Sequence, residues 1–208
     1  MKYAFFVDSS ACSGCKACQV ACKDKHGLEA GRLWRRVYEV AGGGWVRAGE
    51  AWQHSVFAYN LSIACNHCEK PACLEACPAW AIWKREDGIV LIEANRCLGC
   101  EYCSWACPYG ALQYDERSGT MSKCTFCADQ LDAGLPPACV SACPLRALHF
   151  GDRAELEAQH GALRQVYPLP EPALTQPSLV IKPHSEAGRA SGGSLGTGAA
   201  ALGNWEEV

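Results

Sequence analysis

The chain has 208 residues, 49% of them hydrophobic, and a net charge of −3, enough for one large domain or two small ones and without the basic stripe that nucleic acid requires. No apolar run approaches the roughly 20 residues of a membrane-spanning helix. Sixteen of the nominal hydrophobics are cysteine, accompanied by 20 glycines and 11 prolines, so much of the interior is expected to be inorganic rather than hydrocarbon.

In chain order, the N-terminal Met-Lys-Tyr-Ala-Phe-Phe-Val-Asp is too short in apolar residues for a secretory signal, and none is expected. Without export, thiols stay reduced, and sixteen of them point to metal rather than disulfides. Cys12, Cys15, Cys18 and Cys22 form the first group. Residues 23–64 lack cysteine and carry β-rich runs at 36–40 and 55–58 around Gly42-Gly43-Gly44, a β-rich insertion. The second group is Cys65, Cys68, Cys73 and Cys77, the third Cys97, Cys100, Cys103 and Cys107, the fourth Cys124, Cys127, Cys139 and Cys143. Hairpin-like segments are expected at 81–92, turning at Glu86-Asp87-Gly88, and from residues 111–114 into a turn near Ser118-Gly119. Asp152-Arg153-Ala154-Glu155 starts a short helix that Gly161 ends. From residue 167 the texture turns to Pro, then Gly, Ala and Ser, an extended tail over 167–208 that reads either as a disordered end or as a partner-binding arm, with Trp205 favouring the arm.

Every group opens with C-x2-C and closes with C-x3-C, and three of them end in one phrase: Cys77-Pro78 before Ala81, Cys107-Pro108 before Ala111, Cys143-Pro144 before Ala147. The repeat points to a duplicated unit of loop, short helix and strand. C-x2-C-x2-C wraps three thiolates around one cubane, and in two-cluster ferredoxins the cysteine before proline ligates the other cluster. Groups two and three, separated by one hairpin, are paired, leaving groups one and four to pair across the chain. The expected ligand sets are Cys12, Cys15, Cys18 with Cys143; Cys124, Cys127, Cys139 with Cys22; Cys65, Cys68, Cys73 with Cys107; and Cys97, Cys100, Cys103 with Cys77. Four [4Fe-4S] clusters result. Zinc also accepts four thiolates, but its ribbons use two C-x-x-C pairs and leave the third cysteine of these runs without a role. Cysteines every third residue are badly placed for disulfides.

The expected fold is α+β: two pseudo-symmetric, bacterial two-cluster ferredoxin-like lobes, one from residues 1–22 and 108–166 and one from 65–107, with the insertion at 23–64 and the tail at 167–208. Lys123, Arg96 and Arg146 are candidate cations for tuning the clusters, with ordinary surface charge as the alternative. His67, inside Cys65-Asn66-His67-Cys68, reads as a neighbour of a cluster or a surface residue rather than a ligand. His26, His54, His149, His160 and His184 show no metal spacing, and Trp80, Trp83 and Trp105 read as core or partner contacts. No dinucleotide, nucleophile or zinc-protease motif appears, so the chain conducts electrons and the catalyst is another chain.

The cysteine ensemble, residues 3–8 before Cys12, Arg36-Val37-Tyr38-Glu39, residues 58–62 before Cys65, residues 84–88, Cys107-Pro108-Tyr109-Gly110-Ala111 and Cys143-Pro144-Leu145-Arg146-Ala147-Leu148 resemble the electron-transfer (B) subunits of the dimethyl sulfoxide reductase family of molybdopterin oxidoreductases. The likeness runs over residues 3–183. It implies a trimer, in which this subunit sits between a molybdopterin-containing catalytic subunit and an integral membrane anchor that oxidises quinol. It implies membrane association through those partners, on either the cytoplasmic or the periplasmic face. Polysulfide, tetrathionate and sulfite oxidoreductases use similar subunits, and a free-standing polyferredoxin is the alternative of another class. Where nitrate-reductase-type relatives have a Trp in place of one ligand, all sixteen positions here are Cys.

Overall fold

A computed structural model describes residues 1–191 and 201–203. Strand β1 (Tyr3–Asp8) runs into the first cysteine loop and helix α1 (Ala17–Lys25). Residues 36–63 then form β2 (Arg36–Gly42), a hairpin of β3 (Trp45–Ala48) and β4 (Ala51–His54), and β5 (Phe57–Ile63). Group two then contributes the one-turn helix α2 (Ala72–Glu75) and the hairpin of β6 (Ile82–Lys84) with β7 (Val90–Ile92). Group three repeats the plan with α3 (Tyr102–Ala106) and the hairpin of β8 (Gln113–Asp115) with β9 (Thr120–Ser122). Group four sits on α4 (Ala128–Asp132) and α5 (Ala138–Ser141), followed by β10 (Leu148–Asp152), α6 (Arg153–His160), β11 (Leu179–Lys182), α7 (Ala187–Ser191) and β12 (Ala201–Gly203).

Four consecutive residues of β1, Ala4 to Val7, are buried because β1 is the middle strand of a sheet in the order β10-β1-β11. It pairs antiparallel with β10, Phe5 opposite Phe150, and parallel with β11, Phe6 opposite Val180. A strand covered on both faces shows a continuous apolar run instead of alternation. Its Phe5 stacks on Phe126 at 3.9 Å between ring centroids. The second sheet pairs β2 antiparallel with β5 and places β12 on the other side of β2. Gly43, at φ +82°, turns the chain where a Cβ would lie 2.1 Å from the Ser55 carbonyl oxygen, a backbone approach only glycine permits.

Helix α1 packs on α5 and α2 on α3, so groups one and four meet on one side and groups two and three on the other. One apolar core holds Phe5, Leu61 and Val37 together with Cys18, Cys124, Cys139 and Cys143. A smaller one holds Ile82, Val90, Leu112 and Met121 together with Cys73 and Cys103. Asp152 caps α6 by accepting from the Ala154 N–H at 2.9 Å, and Gly161, at φ +84°, ends it, as its sequence predicts.

The tail departs from expectation. Residues 179–182 of the segment expected as an extended arm form β11, with Leu179, Val180 and Ile181 buried against β1. Flanking prolines hide this four-residue run from a compositional reading, and only pairing with a distant strand makes it core. Lys70 and Glu69 N–H groups donate to the Thr175 and Gln176 carbonyls, tying the segment to the second cysteine group as well. Trp205 lies outside the described residues.

Candidate iron–sulfur centres

Cys12, Cys15, Cys18 and Cys143 line one cavity (site I). Cys65, Cys68, Cys73 and Cys107 line another (site III). Around Cys139, the thiols of Cys22, Cys124 and Cys127 lie within electrostatic reach (site II). Cys103 faces Cys77, Cys97 and Cys100 in the same way (site IV). The fold thus brings together three cysteines of one run with the proline-flanked cysteine of its partner run, or, for Cys22, the last cysteine of the first run.

The repeated phrase has a local cause. Cys77 Sγ accepts from the Ala81 N–H and Cys143 Sγ from the Ala147 N–H, each at 3.3 Å. Cys107 is bonded likewise by the backbone of Ala111. The residue before each alanine adopts a left-handed backbone, Trp80 at φ +52°, Gly110 at +56° and Arg146 at +52°, which swings the alanine amide back onto the sulfur. Alanine fits because Ala81, Ala111 and Ala147 are all buried. Within the loops, Gly14 and Gly99 take φ of +73° and +66°. Cys12 is bonded by the Gly14 amide and Cys124 Sγ accepts from Phe126 N–H at 3.3 Å. Amides aimed at sulfur stabilise thiolate and cluster charge alike.

Burial, and after it the neighbouring thiols, pushes Cys73 up to about 12. Burial does the same to Cys22 and Cys68, each pushed up to about 12, to Cys103, pushed up to about 11, and to Cys124, well above the usual thiol range. Thiolates gathered so closely need a positively charged core, which metal supplies while releasing their protons. No disulfide joins any of the sixteen, all of which are free. Among the described residues no three Cys, His, Asp or Glu side chains converge on a single-ion position; the sulfurs of sites I and III ring a cavity instead. That arrangement fits a multi-iron core better than zinc, which draws four sulfurs to about 2.3 Å of one point.

Of the candidate cations, Lys123 is buried, its Nζ donating to the Val90 and Cys124 carbonyls, whereas Arg96 and Arg146 are exposed. His67 is buried beside site III. Its Nδ1 accepts from the Val90 N–H at 3.0 Å, which fixes the neutral tautomer with its proton on Nε2. Burial, reinforced by Lys123, holds its pKa well below the usual imidazole range, and Nε2 has no hydrogen-bond partner. His26, which no spacing singled out, has Nε2 3.6 Å from Cys127 Sγ. Arg35 is fully buried, with Nε and Nη2 lacking protein partners. Nothing in the sequence marks it, since a lone arginine before a strand carries no motif. These orphaned donors and the donor set of sixteen thiols fit four [4Fe-4S] clusters.

Fold and site define an iron–sulfur protein of the ferredoxin type, and residues 56–153 match the family described as the 4Fe-4S dicluster domain. The sequence is 51% identical over 195 residues to the B subunit of anaerobic dimethyl sulfoxide reductase from Escherichia coli (strain K12), covering 94% of this chain and 95% of that one. Against the B subunit of the same name from Haemophilus influenzae the identity is 46% over 208 residues, 100% and 99% of the two chains. Against the thiosulfate reductase electron transfer subunit PhsB of Salmonella typhi it is 40% over 160 residues, 76% and 80%. This protein belongs to the family of iron–sulfur B subunits of dimethyl sulfoxide reductases. No helix among the described residues is long and apolar enough to cross a membrane.

Proposed function

We propose that this chain is the electron-transfer subunit of a dimethyl sulfoxide reductase-like complex, relaying electrons through four [4Fe-4S] clusters between a quinol-oxidising membrane anchor and a molybdopterin-containing catalytic subunit. The ligand sets are Cys12, Cys15, Cys18 and Cys143; Cys22, Cys124, Cys127 and Cys139; Cys65, Cys68, Cys73 and Cys107; and Cys77, Cys97, Cys100 and Cys103, two per ferredoxin-like lobe. When bound, the clusters supply one-electron redox centres.

The graded exposure of the cysteines is the observation that carries this reading. Sites I and IV each have one exposed cysteine, Cys15 and Cys100, whereas every cysteine of site II is buried and site III has none exposed. Cys124 faces both Cys22 and Cys65, which supports the order I, II, III, IV, with the lobes joined between II and III and each end open to a partner. Burial at the middle sites keeps water from the centres that touch no partner. At site IV the exposed Trp80, Leu98, Tyr102 and Trp105 surround the cysteines with apolar surface of the kind partners cover,.

A related reading is a thiosulfate reductase-type complex, supported by the thiosulfate reductase relative; the terminal substrate then belongs to the catalytic subunit. Anaerobic purification of the chain with its native partners tests the proposal. A co-eluting molybdenum subunit and quinol-dependent reduction of the cluster EPR signals are expected. A solitary chain, or signals that quinol leaves unchanged, would contradict it.

A further inference from the structure

Arg35 is a guanidinium sealed in the core, where an uncompensated charge is strongly unfavourable, and among the described residues it has no carboxylate at ion-pair distance. Nη1 donates to the Ser62 carbonyl at 3.3 Å and to Ser62 Oγ at 3.2 Å, and that hydroxyl lies 3.3 Å from Cys18 Sγ of site I. Its backbone N–H bonds to the Cys22 thiol of site II. The Arg35 Cζ stacks over the Phe5 ring at 4.5 Å, which holds the plane in place. The sulfurs it faces are those of Cys139, Cys124, Cys18 and Cys22, three from site II and one from site I, each of which is a thiolate when it holds a cluster. Nε and Nη2 are buried with no protein acceptor.

A buried cation with two idle donors, facing thiols of two sites and no carboxylate, is placed to answer cluster charge. We propose that Arg35 is a positioning residue shared by sites I and II, whose guanidinium donates Nε or Nη2 to their sulfur and raises the reduction potential of both clusters relative to those of sites III and IV. The proposal rests on the four-cluster reading. One-electron reduction of a cubane with four thiolates takes its charge from about −2 to about −3, the electron arriving from the neighbouring centre, so a fixed cation nearby favours the reduced form. Lys123, the other buried cation, acts on Cys73 and Cys107 of site III, and Lys25, which acts on Cys127 of site II, is not buried, so Arg35 is the buried cation of its own sites. A merely structural brace between the segment preceding β2 and Ser62 of β5 would affect stability and leave the potentials alone.

The test is an EPR redox titration of the complete complex carrying Arg35→Met or Arg35→Lys, with iron counted in each. Arg35→Met is expected to disfavour reduction at sites I and II by tenfold or more, 59 mV for a one-electron couple, with sites III and IV shifted less than threefold. Arg35→Lys, which keeps the charge, is expected to retain at least half of that effect. Unchanged potentials in a fully loaded Arg35→Met complex, or an equal shift at all four sites, would overturn the proposal. If Arg35→Met does not assemble, unmodified complex labelled with guanidino-¹⁵N arginine decides the matter. Electron spin echo spectra of the reduced protein are expected to show a nitrogen coupling that Arg35→Lys removes, and its absence overturns the proposal. Failure of the four-cluster reading is separately visible, as an unmodified complex without cubane signals.

Discussion

Replacing Gly99 with alanine introduces the smallest possible side chain into the loop between Cys97 and Cys100, at φ +66°. The left-handed backbone alone costs a non-glycine residue about 1–2 kcal/mol. The new Cβ would lie 2.3 Å from the Gly119 carbonyl oxygen and 3.1 Å from Tyr114 Cε2. That carbonyl belongs to the turn between β8 and β9, which is closed by a 2.8 Å bond from the Gly119 N–H to the Asp115 carbonyl. Backbone so tied yields only if the hairpin or the cysteine loop moves, and overpacking of this kind adds about 1–3 kcal/mol. Gly14 holds the matching place in the first group at φ +73°, but there the Cβ meets the Asn60 side chain, Oδ1 at 2.4 Å. A side chain can swing aside, so Gly14→Ala is expected to cost about 1–2 kcal/mol, mostly backbone strain. Iron content, EPR and thermal unfolding of the two variants separate the cases. Gly99→Ala is expected to lose about four irons per chain, those of site IV, with a lowered Tm, and Gly14→Ala to remain loaded. A fully loaded Gly99→Ala with unchanged Tm, or a Gly14→Ala that fares worse, would refute the reasoning.

Lys123→Met removes a buried charge near Cys73 and Cys107; reduction at site III is expected to become about tenfold less favourable, and an EPR titration that finds the largest shift elsewhere would count against this placement. Burial opposes the charge on Asp8, but the hydrogen bonds from Lys182 and Ser10 outweigh it and hold its carboxyl below the usual range. A lowered carboxylate pKa stabilises the fold above the unfolded value of about 3.9, and that stabilisation is lost as pH falls through the lower folded value. The advantage of the native chain over Asp8→Asn in urea unfolding is therefore expected to be full at neutral pH and to shrink below about pH 4. A pH-independent difference would mean that Lys182 does not engage Asp8.

The cysteine groups were legible in the sequence because C-x2-C spacing is local: a few residues of backbone hold neighbouring thiols close together. Both cysteine-unit hairpins and the capped helix at 153–160 were legible for the same reason. The β-rich character of residues 36–63 also showed through, although the β3–β4 hairpin did not, since Trp45, Val46 and Trp52 carry no alternation and are exposed. What the sequence hid depends on distant partners. β11 becomes core only by lying beside β1, and Arg35 gains its surroundings from Ser62 and from cysteines of both chain ends. The burial of Lys123 and His67 beside the site III cysteines follows from β7, whose Val90 supplies a carbonyl to one and an amide to the other.

Iron and acid-labile sulfide, assayed on the anaerobically purified complex together with EPR spectra across a dithionite titration, test the central claim most directly. About sixteen irons and sixteen sulfides for this chain, with magnetically interacting cubane signals, are expected from four thiolate sets so closely joined. Zinc in place of iron, or iron without sulfide and without cubane signals, would contradict the account.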